Sequence, residues 1–283
     1  MYIFKVAVVG AGTMGAEIAQ VVSWSGLPVV LKDIDQEFVD RGMSKIQQIY
    51  QRRVDRGKMT QREMEEKMAL VIPTTGFEEF KDVDLVIEAI PEKMALKKQL
   101  FAELDRVCPS TTIFASNTSA LSITEMGEAT KRPERVAGLH FFYPASYMKL
   151  VEVIQGKQTS EETMDTLVDF ATELRKLPVR VKECPGFLVN RVLMAAMGEA
   201  LAFQEETKAS PEEIDAVIKS GGGVPMGPFT LSDTLGLDIV LDVARTLHDA
   251  YGARFAPTQS LIDLVKSGKL GVKSGEGFYK YTG

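Results

Sequence analysis

Val6-Ala7-Val8-Val9-Gly10-Ala11-Gly12-Thr13-Met14-Gly15-Ala16-Glu17-Ile18-Ala19 reads as a buried strand that runs through G-x-G-x-x-G into a helix. Eighteen residues beyond Gly15, a second apolar run, Pro28-Val29-Val30-Leu31-Lys32, ends in Asp33. Strand, glycine loop, helix, strand and terminal acid follow the order of a dinucleotide-binding βαβ unit. Gly10 permits the tight turn, Gly12 admits a pyrophosphate to the backbone, and Gly15 lets helix and strand pack closely. Thr13 and Met14 open the helix, whose first N–H groups and partial positive charge suit phosphates. Asp33 stands where a carboxylate accepts ribose hydroxyls, and it would repel a 2′-phosphate. The unit therefore predicts NAD over NADP, with Lys32 as the one counter-indication. A glycine turn in a domain that binds no nucleotide is the competing reading, and the context weighs against it.

Working outward, short apolar runs alternate with helical patterns near 4–9, 28–32, 69–72, 84–88, 112–115 and 136–140. Runs at 150–154 and 179–181 extend the series. This predicts an α/β fold, a Rossmann-type doubly wound, mostly parallel sheet, followed by a smaller all-α domain. The boundary is expected near residues 182–186, giving a nucleotide-binding domain over 1–184 and a helical domain over 185–283. A helical insertion is expected near 37–68, broken at Gly57 and restarted at Thr60, whose Glu63 completes a capping box. A helix over 186–206 carries Leu188, Val192, Met197, Leu201 and Phe203 around much of its circumference and asks for partners on more than one side. Ser210-Pro211-Glu212-Glu213 starts the next helix.

The chain has 283 residues, 45% hydrophobic and 25% charged, with a formal net charge of −6. That charge argues against a nucleic-acid surface. No apolar stretch approaches the ~20 residues of a membrane span, and the first strand starts too early to leave room for a leader. A cytoplasmic protein is expected. Cys108 and Cys184 lack metal-ligand spacing and read as reduced packing residues, and no metal is expected. Against the acidic whole, residues 41–58 carry Arg41, Lys45, Arg52, Arg53, Arg56 and Lys58 with Asp55 as their one acid. A solvated helix face is one reading; a site for the phosphates of a large anionic substrate is the other.

Hydride chemistry on an alcohol needs a base. Of the two histidines, His248 lies in a polar helical stretch and is expected at the surface. His140 ends the apolar strand Val136-Ala137-Gly138-Leu139-His140, and ligands of open α/β sheets bind at strand carboxyl ends. Glu152 sits inside Leu150-Val151-Glu152-Val153-Ile154, where a buried carboxylate needs a partner. His140 is one such partner, and the pair would fix the imidazole tautomer. Two unrelated polar residues at strand ends are the alternative. Ser116-Asn117-Thr118-Ser119 empties from a strand end and reads either as a turn cluster or as part of the same crevice. Asn190 lies one turn into the first helix of the second domain among large apolar neighbours and needs hydrogen-bond partners.

Taken in order, these residues resemble the L-3-hydroxyacyl-CoA dehydrogenases, including bacterial 3-hydroxybutyryl-CoA dehydrogenases, over essentially the full length. The resemblance rests on Gly10-x-Gly12-x-x-Gly15, Glu88-Ala89-Ile90-Pro91-Glu92, Ala115-Ser116-Asn117-Thr118-Ser119 and His140-Phe141-Phe142. It continues in Met148-Lys149-Leu150-Val151-Glu152, Pro185-Gly186-Phe187-Leu188-Val189-Asn190-Arg191, Pro225-Met226-Gly227-Pro228-Phe229 and Gly275-Glu276-Gly277-Phe278-Tyr279. It implies His140 as general base, Glu152 as its supporting carboxylate, and Ser119 and Asn190 as polar residues around the substrate. It also implies Asp33, Glu92, Lys97, Ser119 and Lys273 as NAD contacts, Arg53 as a contact to the CoA moiety, and a homodimer. Tyr143 departs from the Asn usual after His-Phe-Phe, close to where the nicotinamide is expected. An enzyme of free hydroxy acids such as sugar acids, and a non-catalytic nucleotide-binding protein, are the competing functions. The first would have little use for a basic CoA-binding face.

Overall fold

The structure, a computed structural model, describes residues 1–281. The chain divides into two units, one of Met1–Cys184 and one beginning at Pro185. Residues 282 and 283, the end of the expected second domain, lie outside the described residues.

The first unit opens with β1 (Val6–Val9), α1 (Thr13–Trp24), β2 (Val29–Lys32), α2 (Gln36–Asp55), α3 (Gln61–Met68) and β3 (Val71–Thr74). It continues through β4 (Leu85–Glu88), α4 (Met94–Val107), β5 (Ile113–Ser116), α5 (Ile123–Gly127), β6 (Val136–Phe141), β7 (Leu150–Gln155), α6 (Glu161–Glu173) and β8 (Leu177–Lys182). The eight strands form one sheet in the order β3-β2-β1-β4-β5-β6-β7-β8. All neighbours are parallel except β6 and β7, so β7 and β8 run against the rest. Strand order reverses between β1 and β4, the switch point beside which such sheets bind ligands. β1, β2, β4, β5 and β6 are buried at every residue, which is why they read as mostly apolar runs with no alternation. Pro73 is tolerated because β3 is an edge strand.

The insertion forms as its sequence dictates. The Asp35 side chain caps α2 by accepting from Phe38 N, and Val39, Gly42, Ile46 and Tyr50 bury one stripe at helical spacing. Thr60 and Glu63 make the reciprocal capping box of α3.

The second unit is helical: α7 (Val189–Thr207), α8 (Pro211–Gly222), α9 (Pro228–Leu235), α10 (Leu237–Tyr251) and α11 (Gln259–Lys266). The first of these starts three residues later than the sequence pattern predicts, because Gly186 and Phe187 both take positive φ and hold the chain in a turn. Its burial is also narrower. Met194, Met197, Ala200 and Leu201 enter the core, while Val192 and Phe203 stay exposed. Two buried aspartates organise the rest. Asp215 accepts from Phe229 N, Thr230 N and the Tyr279 hydroxyl, and Asp233 accepts from Phe278 N, Tyr279 N and the Tyr281 hydroxyl. The Pro-Met-Gly-Pro-Phe and Gly-Glu-Gly-Phe-Tyr segments are therefore held by structural carboxylates, each compensated by several donors. His248 is half-buried, with its side chain 44% exposed.

Candidate active site

The glycine loop begins with geometry that only glycine supplies. Gly10 has φ +102°, and a Cβ there would stand 2.5 Å from the Ala89 carbonyl oxygen; at Gly15 it would meet the Gly10 carbonyl oxygen at 1.7 Å. In front of Gly12 the space is open. Its helix, α1, has no capping side chain and no acid in its first turn, so its N-terminal N–H groups are left for an anion. Thr13 is exposed there, and Met14 lines the adjoining cavity of about 630 Å³. Asp33 lines it too. Its Oδ2 accepts from Ala11 N at 2.6 Å and its Oδ1 from Ile34 N at 2.7 Å, which locks the carboxylate and leaves further lone pairs for hydroxyl donors.

At the same carboxyl edge of the sheet, His140 and Glu152 are directly paired across the antiparallel β6–β7 ladder. His140 Nδ1 lies 2.8 Å from Glu152 Oε2, with His140 6% exposed and Glu152 0%. The Phe142 ring packs on the imidazole at 4.5 Å between centroids. Asn117, just past β5, accepts from Phe141 N through Oδ1 at 2.9 Å and so ties the two strand ends together.

A third cluster joins the cofactor loop side to Ser119. Glu88, fully buried at the end of β4, accepts from Lys97 Nζ at 2.6 Å, Ser116 Oγ at 2.6 Å and Ile90 N at 2.7 Å. The Lys97 ammonium also reaches Glu92 Oε2 at 3.1 Å, and Glu92 Oε1 accepts from the Thr118 hydroxyl and from Ser119 N. Glu92 and Lys97 thus form a chain of charge-assisted bonds that sets the Ser116–Ser119 turn.

Comparison with known proteins decides what this arrangement belongs to. The family model described as 3-hydroxyacyl-CoA dehydrogenase, NAD binding domain, matches residues 5–184, and that of the C-terminal domain matches 186–281. The chain belongs to the 3-hydroxyacyl-CoA dehydrogenase family. It is 42% identical to the 3-hydroxybutyryl-CoA dehydrogenase of Clostridioides difficile, over 98% of this chain and 99% of that one. It is 44% identical to the human mitochondrial hydroxyacyl-coenzyme A dehydrogenase, over 98% and 90%. The crystal structure of (S)-3-hydroxybutyryl-CoA dehydrogenase from Ralstonia eutropha superposes with a TM-score of 0.96 at 38% identity, covering 99% of this chain and 100% of that one. NAD is the cofactor of this NAD-dependent oxidoreductase family, and the uncapped helix, open Gly12 and locked Asp33 fit it.

Other residues singled out in the sequence take varied positions. Arg53 is half-buried with its guanidinium 4.1 Å from the Trp24 ring centroid, whereas Arg52, Arg56 and Lys58 are exposed. Tyr143 is 61% exposed and has Lys45 Nζ 5.5 Å from its ring centroid. Asn190 is half-buried in the first turn of α7, and Lys273 Nζ lies 2.6 Å from Asp238, both within the second unit. Sequence reasoning quoted Glu88 in a motif but gave it no role of its own, although a carboxylate at the end of an apolar strand is a signal akin to Glu152 within one. It missed Asn117 as a strand tie, and Lys176, whose buried ammonium holds the Ala145 and Met148 carbonyls. Burial pushes the Lys176 pKa below the ordinary lysine value, and Glu17 opposes the shift. Lys176 carries no motif that would reveal this. Among the described residues no helix is long and apolar enough to cross a membrane, and no cluster of His, Cys, Asp and Glu suits a metal ion.

Proposed function

We propose that the protein oxidises the C3 hydroxyl of a short-chain L-3-hydroxyacyl-CoA, such as 3-hydroxybutyryl-CoA, to the 3-oxoacyl-CoA, and catalyses the reverse reduction. The observation that carries this reading is the 2.8 Å His140–Glu152 pair on the sheet edge that also bears the glycine loop. Bound NAD supplies the acceptor for the C3 hydride. Glu152 accepts Nδ1–H, which leaves the Nε2 lone pair of His140 to take the hydroxyl proton. The carboxylate then steadies the imidazolium, and the same proton returns from Nε2 in the reductive direction. Ser119 and Asn190 position the substrate oxygens, and the exposed Arg52, Arg56 and Lys58 attract the CoA phosphates more directly than the packed Arg53. The relatives named for 3-hydroxybutyryl-CoA support the thioester class. Exposed Val192 and Phe203 support a homodimer, and a cytoplasmic location completes the reading.

NADH consumption with acetoacetyl-CoA and with free acetoacetate tests the proposal. Turnover is expected with the thioester and not with the free acid. His140→Ala is expected to lose about 10²- to 10⁴-fold in kcat while still binding NADH. Turnover of the free acid alone would move the protein to free hydroxy acids, and full turnover by His140→Ala would remove the imidazole from the mechanism.

A further inference from the structure

Lys32 is an unusual residue to find closing a buried parallel strand: the three before it, Val29, Val30 and Leu31, are fully buried, and Lys32 itself is only 7% exposed. Successive strand residues point to opposite faces. Asp33, just past the strand, accepts from Ala11 N, while Lys32 lines the same cavity as Glu103 of α4. Its ammonium stands 4.4 Å from the Phe77 ring centroid. Among the described residues its one hydrogen bond is long, 3.4 Å to the Asp33 carbonyl oxygen. A buried ammonium with donors to spare needs an acceptor, and the cavity it lines is the nucleotide cavity.

The cavity has a direction. Gly10, Gly12 and Asp33 occupy the pyrophosphate and ribose end. Leu96, Leu100 and Glu103 follow along α4, Glu103 two turns beyond Leu96, roughly 10 Å further on. A base carried by a ribose on Asp33 would face Phe77 and this helix, where Lys32 and Glu103 of the same lining offer one donor and one acceptor. Resting on the NAD reading above, we propose that Lys32 and Glu103 read the edge of the adenine ring: the ammonium donates to N1 and the carboxylate accepts from the 6-amino group. A 2′-phosphate is the wrong ligand for this cation. Three carboxylates, Glu103, Asp33 and Glu78, already act on it, so the locality is net negative and suits a neutral base edge better than another anion. Burial lowers the Lys32 pKa, and those three carboxylates oppose the shift.

The test is binding, measured by nicotinamide fluorescence on the full chain with NADH, reduced nicotinamide hypoxanthine dinucleotide and NADPH. In hypoxanthine the 6-position becomes an acceptor and N1 a donor, reversing both partners. The wild type is expected to bind the hypoxanthine dinucleotide about tenfold more weakly than NADH. Lys32→Met, which keeps the stem and removes the donor, is expected to weaken NADH about tenfold and the hypoxanthine analogue by no more than about twofold. Lys32→Arg retains donors and is expected to keep the base preference, which guards against a mere folding defect in the Met variant. Equal weakening of both dinucleotides, or no change, would overturn the proposal, as would a loss confined to NADPH, which would assign Lys32 to a 2′-phosphate. A protein that binds NADH and turns over acetoacetyl-CoA without a Lys32-dependent base preference loses this inference alone. One that binds no dinucleotide loses the cofactor reading with it.

Discussion

Glu152 meets its partner directly across a strand pair, and that register sets what each variant at this position would do. Glu152→Gln keeps the size but removes the charge and turns one acceptor oxygen into a donor NH2. Its amide donates to Nδ1, leaves the proton on Nε2 and so presents the wrong tautomer to the substrate. Steady-state kinetics with acetoacetyl-CoA are expected to show kcat lowered by about 10²- to 10⁴-fold with KM nearly unchanged. A loss confined to KM would place Glu152 in substrate binding. At this scale much was legible. A carboxylate inside an apolar strand and a histidine ending one are visible as residue types, because burial makes polar residues expensive. What the residues did not reveal is that the two strands are antiparallel neighbours with His140 opposite Glu152.

The junction of β4, α4 and β5 is a matter of elements. Lys97 is 1% exposed and Glu88 0%, and the bond between them fastens the helix to the sheet beneath the Ser116–Ser119 turn. Lys97→Met strands the Glu88 carboxylate in the interior, and urea unfolding is expected to show a loss of about 3–5 kcal/mol. Adding Glu88→Gln to that variant is expected to recover part of the loss, since the second change removes the uncompensated charge. Additive losses in the double variant would mean that the pair is not coupled. The resemblance pointed to Glu92 and Lys97 as NAD contacts, yet the element geometry makes them partners of Glu88 and Thr118 as well. α2 teaches the complementary lesson. Its basic residues are plain in sequence, but helical phase turns Arg53 onto Trp24 and leaves Arg52 and Arg56 outside.

Over the whole molecule, a net charge of −6 coexists with one cationic segment, so long-range steering of an anionic substrate depends on where that segment faces. Arg52→Glu/Arg56→Glu is expected to raise KM for acetoacetyl-CoA by about tenfold at low salt with kcat nearly unchanged, because exposed charges act mainly on encounter and binding. The difference is expected to fade near 1 M salt, where the screening length falls to about 3 Å. A salt-independent effect would point to a packing defect in α2. A KM unchanged at low salt would leave the segment as a solvated face.

By itself, the sequence determined the order of strands and helices, the glycine loop, the break in the insertion and the nature of the cofactor. Each follows from short-range rules: burial periodicity, capping, and steric demands such as those at Gly10 and Gly15. Only the tertiary structure decided which polar groups meet: His140 with Glu152, Glu88 with Lys97, Asp215 and Asp233 with the Phe278–Tyr281 segment. Partners between 9 and 64 residues apart are chosen by strand register and helix phase, and a shift of one residue in a strand would turn the same side chain to the opposite face.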